Sequence, residues 1–225
     1  VIVRVPARLP DAARGRVEVV TGSHAEAEVL DRAFEGADAV FWLVPPDASQ
    51  TPQDAYSGFT RPAVKALAAH SVGHVVGVSA LGRGTPLADR AGLVTASLAM
   101  DDLIAGTGVA YRALAGASFF ENLLEETDSI REKGVFTDSV DADRKAPFVA
   151  VADIAAVAAG LLLDRSWAGA DSVPALGPRG LSPNDLARIM TEQLGRPVRY
   201  ERRPLDEMYT TLVGYGLDPV TTVTT

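Results

Sequence analysis

The chain has 225 residues, 47% of them apolar, no cysteine and a formal net charge of −8. That length and apolar content suffice for one sizeable core and a small second lobe. The lack of cysteine excludes disulfides and thiolate metal sites and suits a reducing cytoplasm. The acidic balance argues against a surface for nucleic-acid phosphates, no apolar run reaches the roughly 18 residues a membrane span needs, and no basic-then-apolar leader opens the chain.

In chain order, Val1–Val5 reads as a strand, with no glycine-rich turn before it, and Val17–Val20 as another. A helix is expected from about Ala25 to Phe34, stopped at Gly36. Ala39–Val44 is a continuous apolar run of strand length, the pattern of a strand buried on both faces, and it ends at Pro45-Pro46. A helix over about Arg61–Ser71 leads to a second buried strand, His74–Ser79. The loop Ala80–Asp89 precedes a helix near Leu93–Ala105, then a strand Val109–Leu114, a turn at Ala115-Gly116 and a helix from about Phe119 to Lys133. Beyond Gly134 the rhythm loosens: a strand near Pro147–Val151, an Ala/Leu-rich helix begun at Asp153, and a helix entered at Ser182-Pro183-Asn184-Asp185 that stops at Gly195. Pro197–Glu201 reads as a short strand and Leu205–Val213 as a last helix before a threonine tail. Strands alternating with helices of 10–15 residues imply βαβ units and a mostly parallel, doubly wound α/β sheet. The expected division is a core over 1–133 and a small mixed lobe over 134–225, with the strand at 147–151 near the core.

Several segments in this order resemble the NmrA-like branch of the atypical short-chain dehydrogenase/reductase superfamily. They are Val3-Arg4-Val5-Pro6-Ala7-Arg8, Val17–Gly22, Ala37–Phe41, Val78-Ser79-Ala80-Leu81-Gly82, Phe119–Leu124, Val151–Ala155 and Leu194–Tyr200. The resemblance implies a Rossmann-like fold with sheet order 3-2-1-4-5, in which Val1–Val5 is the second strand. A strand would then lie between Val1–Val5 and Ala39–Val44. Without it, many buried backbone groups would be unpaired at about 1–3 kcal/mol each, more than an ordinary domain's stability. The expectation is therefore that some 25–30 residues carrying a strand, a glycine-rich turn and a helix stand upstream, the length of a usual βαβ unit being about 30.

The resemblance also implies a nicotinamide dinucleotide at the carboxyl ends of the strands. Arg4 and Arg8 stand where a carboxylate would favour NAD, and a guanidinium there can pair with the 2′-phosphate of NADP; NADP(H) is thus expected over NAD(H). The alternative is a pair of solvated arginines. Val44, Pro45 and Pro46 would line the cofactor, or simply end a strand. Ser79 matches the serine that orients a carbonyl in short-chain dehydrogenases, but no tyrosine has a lysine four positions on. The helix over Leu93–Ala105 carries neither residue of that pair. Asp101 lies where relatives often carry a glutamate. Ser79 and Asp101 are therefore the catalytic candidates, although Asp101 reads first as a solvated helix carboxylate. Phe119 or Phe120 would wall a substrate pocket, or belong to the core. The altered segments Gly22-Ser23 and Ala115-Gly116-Ala117 depart from the family's usual Gly-Asp and Arg-Pro-Gly. His24, His70 and His74 are too dispersed for a metal site.

The reading is a cytoplasmic NADP(H)-dependent oxidoreductase that passes hydride to a small conjugated acceptor, such as a quinone or azo compound. The alternatives are a non-catalytic dinucleotide sensor acting through a protein partner, and a non-redox isomerase or cyclase. A homodimer is compatible with any of these.

Overall fold

The computed structural model describes residues 1–45, 47, 49–204 and 207. Pro46 and the expected helix over Leu205–Val213, apart from Glu207, lie outside the described residues. In chain order the elements are β1 (Ile2–Val3), α1 (Asp11–Arg14), β2 (Val20–Thr21), α2 (Ala27–Phe34), β3 (Ala39–Trp42), α3 (Phe59–Ala69) and β4 (His74–Ala80). Then come α4 (Leu93–Ala105), β5 (Ala110–Gly116), β6 (Ser118–Phe119), α5 (Thr127–Lys133), β7 (Val135–Asp138) and β8 (Ala146–Val149). The chain closes with α6 (Val151–Leu163), β9 (Ala170–Ala175), β10 (Gly180–Leu181), α7 (Pro183–Leu194) and β11 (Arg199–Arg202).

The main sheet is parallel throughout, in the order β3-β4-β5-β9. Its strands read as apolar runs because both faces are covered: Val75 and Val76, successive residues of β4, are both fully buried. On one face Val40, Trp42, Val75 and Tyr111 pack with Leu30 and Phe34 of α2, Leu67 of α3, and Met100 and Ile104 of α4. On the other, Val76 and Leu114 pack with Ile154 and Ala158 of α6. That is a doubly wound α/β layer structure. β1 and β2 pair in parallel as a separate ribbon, and Ile2 of β1 packs against the core that contains Val40 and Trp42. No ladder joins β1 to β3 among the described residues.

The remaining strands form a smaller lobe. β8 pairs with β6 and β10, β7 pairs with β11, and a third core gathers Ile130, Phe136, Leu181, Leu186 and Val198. Helix α7 has the expected start: the Ser182 hydroxyl accepts from the Asp185 N–H at 3.2 Å while the Asp185 carboxylate accepts from the Ser182 N–H. It ends on left-handed Gly195. Gly134, which ends α5 at φ +66°, is also fixed by space, since a Cβ there would lie 2.6 Å from the Pro197 carbonyl oxygen.

α1, β7 and β10 have no counterpart in the sequence-based expectation, β1 and β2 are shorter than expected, and three further elements differ in kind or extent. The single helix over Phe119–Lys133 is broken into β6, a 3₁₀ stretch Phe120–Glu126, and α5. Phe119 is drawn into a ladder with Val149, Phe120 stacks on Phe148 with ring centroids 5.3 Å apart, and Glu121 accepts from the Val151 N–H that opens α6. Those contacts outweigh helix propensity. Strand β9 arises from Ala170-Asp-Ser-Val-Pro-Ala, a segment without an apolar run; it is an edge strand, where Pro174 is tolerated. It belongs to 134–225 by sequence but pairs with β5 of the main sheet. Finally, α3 begins earlier than Arg61, through a π-helical turn at Asp54–Gly58.

Candidate functional site

β1 and β2 run parallel and their carboxyl ends lead to Arg4 and His24, while Leu43-Val44-Pro45 follow β3, which is parallel to β4. Register pairs Val3 with Thr21, and the Gly22 N–H donates to the Val3 carbonyl at 3.1 Å, so the residues just after both strands start from adjacent positions. Arg4 is exposed, and Arg8 lies on the short 3₁₀ turn Pro6–Arg8 that follows. Arg14 braces that turn, donating from Nη2 to the Ala7 carbonyl at 2.6 Å and from Nε to the Leu9 carbonyl at 2.9 Å. Neither Arg4 nor Arg8 has a carboxylate partner among the described residues. After β3, Val44 is buried while Leu43 and Pro45 are open to solvent.

His24 bridges two of these strand ends. Its Nε2–H donates to the Leu43 carbonyl at 3.0 Å, and its ring packs edge-on against Phe59 and Trp42 with centroids 4.7 and 5.4 Å away. Trp42 is itself pinned by a buried bond from its indole N–H to Thr60 Oγ1 at 3.1 Å. Burial pushes the imidazole below its ordinary pKa, with Arg4 acting in the same direction and the Leu43 carbonyl opposing them.

Ser79 and Asp101, separate candidates in the sequence, meet in a buried network between β4, β5 and α4. Ser79 Oγ donates to Asp101 Oδ2 at 2.5 Å, and Tyr111 Oη donates to Asp101 Oδ1 at 2.6 Å. Ser97 Oγ lies 3.4 Å from Ser79 Oγ. Arg83 approaches Asp101 at 3.6 Å, binds Asp102 at 2.8 Å and donates to the Leu98 carbonyl at 3.0 Å. The Asp101 side chain is 5% exposed, so it is no solvated helix carboxylate. Burial raises its pKa, offset in part by bonds from Ser79 and Tyr111 and by the Arg83 charge. Tyr111 is shifted upward as well, by burial and then by the Asp101 charge, so its phenol remains a proton donor. A hollow of about 250 Å³, lined by Arg83, Asp101, Asp102 and Tyr111 among others, gives the network an outlet to solvent.

Tyr111 and Arg83 were not legible as site residues. One signal for Tyr111 is glycine at 77 inside a buried strand: a Cβ there would lie 2.5 Å from Tyr111 Oη.

Phe119 and Phe120 face different spaces. Phe119 lines a cavity of about 850 Å³ between the main sheet's loops and the small lobe, with Leu93, Asn122, Phe136, Val140 and Arg144 on other walls. Phe120 lines a smaller one of about 430 Å³ with Leu186 and Met190. The histidines are apart: His70 pairs with Asp31 at 3.2 Å, and His74 bonds the Trp167 carbonyl at 3.1 Å. No helix among the described residues is long and apolar enough to cross a membrane.

A family model described as NAD(P)H-binding matches residues 1–165. The chain belongs to that NAD(P)H-binding family. The finding agrees with the NmrA-like resemblance carried by the sequence segments. Among curated proteins, this family member is similar to the (4-alkanoyl-5-oxo-2,5-dihydrofuran-3-yl)methyl phosphate reductase of Streptomyces griseus, at 29% identity over 97% of the chain and 74% of that protein. It is also similar to the NAD(P)H azoreductase of Xenophilus azovorans, at 27% over 92% of the chain and 71% of that protein. Among solved structures, the NADPH-dependent quinone oxidoreductase of Escherichia coli, complexed with NADPH, superposes with a TM-score of 0.79 at 22% identity, over 99% of this chain and 76% of that one. The triphenylmethane reductase of Citrobacter sp., complexed with NADP(H), superposes with a TM-score of 0.75 at 21% identity, over 95% and 72%.

In this NAD(P)H-binding protein the residues fit the adenosine end of a dinucleotide. Two guanidiniums without carboxylate partners among the described residues stand after β1, and the exposed Leu43 and Pro45 offer apolar surface after β3. Both stand where parallel α/β sheets bind nucleotides, at the strands' carboxyl ends.

Proposed function

We propose that the protein is an NADPH-dependent reductase of a small conjugated acceptor, in the class of quinones and azo compounds. The observation that carries this reading is the Arg4/Arg8 pair: exposed, without carboxylate partners among the described residues and placed after β1, it suits a 2′-phosphate through charge-assisted, bidentate bonds. When bound, the reduced nicotinamide would supply a hydride to the acceptor, with the balancing proton drawn from solvent, so that NADPH, acceptor and one proton become NADP⁺ and reduced acceptor.

The chain's own residues position the reactants and do not protonate them. Ser79 commits its hydroxyl hydrogen to the bond with Asp101, so toward a ligand its oxygen can only accept; it would orient a donor such as a carboxamide N–H. Asp101 accepts from Ser79 and Tyr111 and thereby holds β4, β5 and α4 in one geometry. Phe119, Leu93, Phe136 and Val140 of the 850 Å³ cavity offer apolar surface to a flat acceptor, with Glu125, Glu126 and Arg144 among the polar walls.

Titration with NADPH, followed by nucleotide fluorescence and thermal shift, tests the cofactor half; no response in either overturns it. A panel of quinones and azo dyes tests the acceptor half. The sensor reading is favoured by one observation, that the buried acid of the site is consumed by structural hydrogen bonds. NADPH binding without NADPH consumption across the panel would establish that reading instead.

A further inference from the structure

We propose that His24 reads the 2′ position of the bound adenosine ribose, donating from Nδ1 to a 2′-phosphate when charged and accepting at Nδ1 from a 2′-hydroxyl when neutral. The inference rests on Arg4 as the phosphate ligand and adds a second, proton-dependent reader beside it.

The ring's chemistry is set by its partners. A carbonyl oxygen only accepts, so the bond to Leu43 requires the proton on Nε2 and leaves Nδ1 as the acceptor in the neutral ring. Nδ1 has no partner among the described residues, and the ring cannot swing away because Phe59 and Trp42 hold it edge-on. The same side chain therefore offers an acceptor or, once protonated, a charged donor, at one fixed place among three strand ends.

The surrounding charges make that choice depend on the ligand. From β1 comes Arg4, the charge that acts on the ring. Glu26, just before α2, and Glu28 in it are exposed, and Arg32 of α2 is turned to the Thr21 carbonyl at 3.4 Å. From β3 and α3 come Trp42 and Phe59, which carry no charge. With nothing bound, Arg4 and burial both oppose protonation. A phosphomonoester, carrying about −1.5 to −2 charges near neutrality, neutralises Arg4 and reverses the field at the imidazole. Binding of the 2′-phosphate and uptake of a proton at His24 should then be linked, each favouring the other.

The test uses the full chain and two probes confined to the adenosine end, adenosine 2′,5′-bisphosphate and adenosine 5′-monophosphate, beside NADPH and NADH. His24 is followed by the pH titration of its ring signals in NMR. The expected result is a His24 pKa below 6.5 in the free protein, raised by about one unit by adenosine 2′,5′-bisphosphate and NADPH. The 2′-hydroxyl probes should leave it unmoved or lower. A one-unit rise corresponds to up to about tenfold tighter phosphate binding in acid. His24→Gln keeps an N–H for Leu43 but cannot charge, so it should lose that His24-dependent gain. What remains in the variant reports the phosphate's own titration near pH 6. A His24 that does not move when NADPH binds, or moves equally with NADH, overturns the inference alone. Failure of both 2′-phosphorylated probes, adenosine 2′,5′-bisphosphate and NADPH, to bind at any pH overturns the Arg4 reading and the inference with it.

Discussion

Tyr111→Phe tests the buried network most directly. The substitution removes one hydroxyl and almost no volume, and takes from Asp101 one of two short hydroxyl bonds, the 2.6 Å one. A hydrogen bond to a charged group contributes about 1.5–3 kcal/mol, and here the acceptor is buried and cannot recruit bulk water freely. In a chain of this size about 1 kcal/mol moves the thermal midpoint by roughly 2–4 °C, so the variant should melt roughly 3–12 °C lower at pH 8. The pH dependence is more diagnostic than the loss. Asp101 is raised in the folded state, chiefly by burial, so its favourable contribution is complete below its unfolded pKa and is lost as pH rises through the folded one. The Tyr111 bond favours the charged carboxylate. Deleting it raises the folded pKa further and steepens the loss. The gap between the two proteins should therefore widen from pH 4 to pH 8 in urea denaturation read by tryptophan fluorescence. A gap that stays constant with pH, or one below about 0.5 kcal/mol at pH 8, would refute Asp101 as the charged acceptor of this network.

Gly77→Ala places a methyl 2.5 Å from Tyr111 Oη and 3.0 Å from its ring, and should cost about 1–3 kcal/mol in the same denaturation assay. Combined with Tyr111→Phe it should cost less than the sum of the two, because the clashing oxygen is gone; strict additivity would contradict the contact. Ser182→Ala removes the acceptor at the start of α7 and should cost about 1 kcal/mol, measured as a lower midpoint with unchanged cooperativity. Arg4→Asp should weaken NADPH at least about tenfold, the loss of a charge-assisted bond, while sparing NADH. The readout is the ratio of the two dissociation constants, and an unchanged ratio removes Arg4 from the 2′ site.

What could be read in advance was what local pattern determines. Val75 and Val76 in succession announce a strand covered on both faces, and Ser182-Pro183 with Gly195 brackets α7 from its own capping chemistry. Strand β9 carries no such pattern, since its backbone is organised by β5 and its side chains sit at an edge. The Phe119–Glu126 segment has helical composition, but Phe148 and Val149, more than twenty residues on, decide its shape. The site divides the same way. Ser79 and Asp101 stood out singly, by position along a strand and a helix, yet nothing local said that they bond to each other. Tyr111, weighed only for a lysine four residues on, is completed by a glycine on the neighbouring strand. The placement of His24 depends on Phe59, thirty-five residues later.

The β5–β9 pairing has a consequence for how the molecule assembles. Tyr111 is in register with Ala170, so β9 can dock only after a loop of about sixty residues has closed, and that loop contains β6, β7, β8 and α6. Closing such a loop costs roughly 4 kcal/mol of chain entropy before any contact repays it, whereas β4 and β5 meet across a single helix. Half of the small lobe, β6, β7 and β8, thus lies inside the last crossover of the large sheet and is paired by β10 and β11 from beyond it, and β9 should be the late strand of folding. In pulsed hydrogen exchange its amides should gain protection after those of β4; simultaneous protection would mean that the lobe forms early and carries β9 into place.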